Sequence, residues 1–151
     1  MDDAAAKLGQ FLCKYDAPVA ADARYALKTL ADRFPTATRI VYDNYNALVV
    51  GFGASDKVSD AILSIAVYPR YVTLFFLRGA RVTDPNGLLE GSGSKVRHIK
   101  LKSISLLQTA EVGALIDAAV ASAPKPFPLE GKGPLIIKSI SPNQRPRRSA
   151  P

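Results

Sequence analysis

The chain is poor in the side chains from which most metal and nucleophile sites are built. Its 151 residues include one cysteine, Cys13, and one histidine, His98. A lone cysteine excludes an intrachain disulfide and suits a reducing cytosol. Cys13 falls within a helical pattern and reads as a small, partly buried side chain. Zinc and redox-metal sites usually draw three or four ligands from His, Cys and carboxylates. The acids are scattered here, with Asp2-Asp3 and Asp56/Asp60 the nearest pairs. No metal and no cofactor are therefore expected.

A Ser-His-Asp triad would have to use His98, and no serine lies in a G-x-S-x-G turn. Arg97 and Lys100 flank His98 and disfavour a protonated imidazole, which weakens it as a proton acceptor. The phosphate-loop signature is absent. Gly91-Ser92-Gly93 precedes a strand pattern rather than a helix, so no helix dipole would help it hold phosphate. These absences argue against an enzyme. No apolar run approaches the ~20 residues of a membrane span, and Met1-Asp2-Asp3 followed by alanines lacks the basic start of a secretory signal. A cytoplasmic protein without a membrane partner is expected.

The composition, 48% hydrophobic and 22% charged, is that of a globular domain. At this length a chain buries roughly 70% of its unfolded surface. The formal charge of +7 is uneven: residues 124–151 hold six basic residues and one acid, Glu130. The expected organisation is an α+β domain over 1–123 and a Pro-rich basic extension over 124–151. The extension carries one short strand candidate at 135–140. A basic tail favours anionic partners, and its plainer reading is a solubilising, partly disordered end.

The spacing predicts a helix from Asp2 or Asp3 to about Tyr15, with Leu8, Phe11 and Leu12 on one face. Asp16 reads as the cap of a second helix, with Pro18 in its first turn, running to Pro35. The period then changes from 3.6 to 2. Residues 38–43, 46–52, 61–68 and 71–77 read as strands, with Pro69-Arg70 as a hairpin turn. Residues 95–101 read as a further strand, and Thr109 as the cap of a third helix ending before Pro124. This order predicts an α+β fold, a mainly antiparallel sheet of five to six strands with helices packed against it. Leu27, Leu30, Ile65, Leu74, Phe76, Ile99 and Ile116 are the expected core.

The most distinctive stretch contains Phe76–Gly79 (FLRG), Asp84–Gly93 (DPNGLLEGSG) and Val96–Lys100 (VRHIK), in that order. This block resembles the YdhG-like family, a bacterial domain of unknown function with the pattern FxRG, D-x-x-G-L-L-E-G-x-G, V-R-H-[IV]-K. Tyr15-Asp16-Ala17-Pro18, Ile136-Ile137-Lys138-Ser139 and Gln144-Arg145-Pro146-Arg147-Arg148 extend the likeness. The resemblance implies an α+β fold and no settled activity. A frataxin-like iron-chaperone label carried by some relatives implies that function as an alternative.

Two candidate sites follow. Alternation along 95–102 puts His98, Lys100 and Lys102 on one face, and Ile99 and Leu101 on the other with Arg97. Lys95, Arg97, His98 and Lys100, with the Gly91 and Gly93 loop, could hold a small anion through side chains and a backbone nest. Arg97 alternatively pairs with Glu90 or Asp84 and pins the loop. The second candidate is Arg145, Arg147 and Arg148, which suit weak, phosphate-driven nucleic-acid contact. Tyr42, Tyr45, Tyr68 and Tyr71 lie at strand ends or turns, and alternation assigns them no common face. The function expected is a non-enzymatic binding or accessory module for a small anionic ligand or a protein. The alternative is weak binding of nucleic acid or an acidic partner through the tail.

Overall fold

The computed structural model describes residues 3–148. Helices α1 (Asp3–Leu12) and α2 (Ala17–Arg33) lead into strands β1 (Thr38–Asp43), β2 (Leu48–Gly53), β3 (Ala61–Val67) and β4 (Val72–Phe76). Strand β5 (Arg97–Leu101), helix α3 (Ala110–Ala121) and strand β6 (Leu135–Ile140) complete the order. All the strands form one sheet, in the order β5-β4-β3-β2-β1-β6. Neighbours from β5 to β1 are antiparallel, and β6 joins the edge of β1 in parallel. This is the α+β arrangement expected.

The switch of period at Pro35 is where helix gives way to sheet. The Pro69-Arg70 turn closes a tight hairpin, with the Tyr68 N–H donating to the Tyr71 carbonyl at 2.9 Å. The register shifts at Gly53, which pairs with Ala61 while Phe52 pairs with Leu63. The extra residue at this bulge, Ile62, and its neighbour Leu63 are both buried.

The core lies between the helices and one sheet face. Leu48, Val50, Phe52, Leu63, Ile65, Leu74 and Phe76 line it from the sheet, and Leu30, Leu115 and Ile116 from the helices. Six of the seven expected core residues are buried; Leu27 packs at its margin and is half-buried. Cys13, expected to be partly buried, is exposed just past α1.

Thr109 caps α3, its hydroxyl accepting from the Val112 N–H at 3.3 Å. Asp16 precedes α2 with Pro in the first turn, but its side chain makes no cap bond. It accepts instead from Arg148 Nη1 at 3.2 Å.

The expected boundary after residue 123 does not divide the fold. Phe127 is buried against Phe34, ring centroids 5.1 Å apart. Gly133 then passes so close to β1 that a Cβ there would lie 1.8 Å from the Ala37 carbonyl oxygen. Only glycine allows this approach, which delivers β6 to its place beside β1.

Candidate functional site

The loop between β4 and β5 is built around its own side chains. The Asp84 carboxylate accepts from the Leu88 and Leu89 N–H groups at 3.0 and 2.8 Å, which closes the Asp84–Gly87 turn. Gly87 has φ +64° and Gly91 φ +121°, both in the range that favours glycine. Glu90 and His98 then exchange backbone hydrogen bonds of 2.8 and 2.9 Å, laying the loop against β5.

Arg97 does pin this loop, but through carbonyls rather than through Glu90 or Asp84. Its Nη1 donates to the Gly93 and Val96 carbonyl oxygens at 2.5 and 2.9 Å. The Gly91–Lys95 turn is thus folded around a cation, and the Gly93 carbonyl faces it. Glu90, the nearest acid, lies 3.8 Å from His98 Nε2. Gly93 itself borders open space, and the Lys95 carbonyl accepts from the Ala80 N–H. The six residues named for a small-anion site therefore divide: Arg97 is engaged with the loop, while His98 and Lys100 lie on the opposite face.

That opposite face carries an aromatic cluster. His98 leans on Phe75, with ring centroids 5.5 Å apart. The Lys100 ammonium sits 4.0 Å from the Tyr71 ring centroid, a cation–π contact. Tyr71 stacks with Tyr68 at 5.0 Å and an interplanar angle of 28°. Burial, and next the neighbouring Tyr71, raise the Tyr68 phenol above its ordinary pKa. Tyr68 and Tyr71 share an open hollow with Asn46, Pro69, Arg70, Arg145 and Pro146. Among the described residues, no carboxylate lines it. The hollow continues past Tyr68 toward Tyr45, which is exposed.

The three tail arginines have separate fates. Arg145 is exposed in this hollow, its N–H donating to the Tyr45 carbonyl at 2.9 Å. Arg148 is exposed but tied to Asp16 and to the Cys13 carbonyl. Arg147 is 5% exposed. Its Nη2 donates to Asp43 Oδ1 at 2.9 Å and to the Asn44 carbonyl, and its Nη1 to the Tyr45 carbonyl at 3.3 Å. Nucleic-acid contact by three equivalent tail arginines is therefore not the arrangement found, because one of them is a core ion-pair partner.

Sequence reasoning missed the Tyr68–Tyr71 platform, although a signal was present. A two-residue hairpin turn places its flanking residues directly opposite each other, hence on one face. The approach of Lys100 and Arg145 depends on strand register and on the tail's path, which no local pattern encodes. Among the described residues, no three His, Cys, Asp or Glu side chains are grouped to hold a metal ion, and no helix is long and apolar enough to cross a membrane.

Comparisons with family models, curated proteins and solved structures give no match to this chain.

Proposed function

We propose that this protein is a non-enzymatic, cytoplasmic binding module. Its ligand is a small anion that also presents a planar ring, the chemistry of a nucleoside phosphate. The observation that carries this reading is the stacked Tyr68–Tyr71 pair beside Lys100, Arg70 and Arg145, in a hollow that no carboxylate lines among the described residues. Tyrosine faces supply stacking, and the cations supply the phosphate contact. The resemblance to the YdhG-like family implies no settled activity, and the iron-chaperone alternative it carries finds no group of three His, Cys, Asp or Glu side chains among the described residues.

A second reading, contact with single-stranded nucleic acid, is favoured by the open run from Tyr71 past Tyr68 to Tyr45. Calorimetric titration with adenosine monophosphate and with an oligothymidylate, at two salt concentrations, tests both. The first reading expects nucleotide binding that Tyr71→Ala and Arg145→Ala each weaken. The second expects the oligonucleotide to bind far more tightly, with a log–log salt slope of about −1.5 to −2 for two or three neutralised phosphates. Absence of any binding at low salt would refute both.

A further inference from the structure

On the helix side of the sheet, α1 packs over β6 while α2 packs over β3 and β4. β6 and β3 are separated by three strand spacings, roughly 14 Å. Packed helices prefer axes about 8–10 Å apart. Side chains fill this gap, so that Val41, Leu48, Val50 and Phe52 are at most 1% exposed, and a groove of about 830 Å³ opens at the surface above them, beside Arg39. That lies within the roughly 300–1,000 Å³ of small-molecule sites. Val50 and Phe52 close its base, and the half-buried Leu8, Leu27, Phe34 and Leu135 form its walls.

The polar groups at this groove are unbalanced. Asp32 is neutralised by Lys28 one helical turn away, at 2.6 Å. Arg39 and Lys132 also line the groove, and among the described residues no side-chain hydrogen bond or ion pair engages either. Arg39 stands on β1 two residues before the core residue Val41, so its side chain starts from the core face of the sheet and is half-buried. A guanidinium in that position, with an apolar trough beside it, matches a molecule with an anionic head and an aliphatic body.

We propose that this groove is a binding site for a monomeric alkyl carboxylate of medium chain length. Arg39 and Lys132 hold the carboxylate, and the chain lies along Leu8, Leu27, Phe34 and Leu135. The site is on the opposite face of the sheet from the tyrosine platform and does not depend on it.

The test is calorimetric titration of the full chain with hexanoate, octanoate and decanoate below their micellar concentrations, with decanol as the uncharged control. Affinity should rise about fourfold per added methylene, the gain from burying each one. Decanoate should bind at least tenfold more tightly than decanol. Arg39→Gln should remove that discrimination while leaving the chain-length dependence. Lys132→Gln, at an exposed position, gives the same comparison should Arg39→Gln fail to fold, as circular dichroism would show. Failure of decanoate to bind at millimolar concentration overturns the proposal. So does equal binding of decanoate and decanol by the unaltered protein. A dimer that Leu27→Lys dissociates would assign the groove to a second copy and overturn it equally.

Discussion

Replacing Arg147 with methionine should destabilise the protein strongly, although the residue lies in a stretch that composition marks as loose. Methionine retains much of the apolar stem and removes the guanidinium. Asp43 is left behind with its side chain 1% exposed. Its remaining cation, Lys14, is 3.5 Å from Oδ2 and half-exposed. The Asn44 and Tyr45 carbonyls also lose a donor. Breaking a buried ion pair on one side costs about 3–5 kcal/mol, chiefly from the charge left without a partner. Lys14 offsets part of this, so about 3 kcal/mol is expected. For a domain of this size that lowers Tm by roughly 6–12 °C. Urea and thermal denaturation measure it. A cycle with Asp43→Asn should give a coupling of about 1–3 kcal/mol. Arg145→Ala, at an exposed neighbour, should stay within about 0.5 kcal/mol. Deleting residues 141–151 should cost at least as much as Arg147→Met. If Arg147→Met instead behaves like Arg145→Ala, the buried anchor is wrong and the segment is loose after all.

Two further outcomes follow from the geometry. Leu74 is 0% exposed on the interior strand β4, and Leu74→Ala should cost about 2–5 kcal/mol in urea unfolding; a loss below about half a kcal/mol would contradict its burial. Asp60 accepts from Ser55 Oγ at 2.5 Å, and that bond, with Lys125 beside it, lowers its pKa below the ordinary carboxylate value. Its contribution to stability is therefore present above the unfolded-state pKa and is lost as pH falls through the folded one. Stability curves from pH 6 to about pH 2 should be less steep at their acid end for Ser55→Ala; identical curves would remove Ser55 as the cause.

Helices and hairpins were legible because each is announced locally. The stripe in α2, the break at Pro35 and the Pro69-Arg70 turn all act within a few residues. What could not be read is what joins distant parts. Asp43 and Arg147 are 104 positions apart, and nothing near either predicts the other. Asp16 precedes Pro18 as a cap residue would, yet it binds Arg148. Arg97 was expected on the core side and tied to the loop, and is so, but carbonyl partners replace the expected acids. In the candidate site, the basic face of β5 was visible from alternation. The tyrosines that give it an aromatic floor come from the neighbouring hairpin, and only the register between β4 and β5 sets Lys100 beside Tyr71.

The parallel pairing of β6 with β1 has a bearing on how the chain is made. β1 emerges from the ribosome nearly a hundred residues before its outer neighbour. Until residues 135–140 arrive, one side of β1 offers unpaired backbone groups to any extended segment it meets. Closure also waits for Gly133 to thread past Ala37 and for Arg147 to reach Asp43. Such long-range steps are slow to search and expose aggregation-prone edges meanwhile. Variants that weaken the later segment would then be seen first as lost soluble yield during expression.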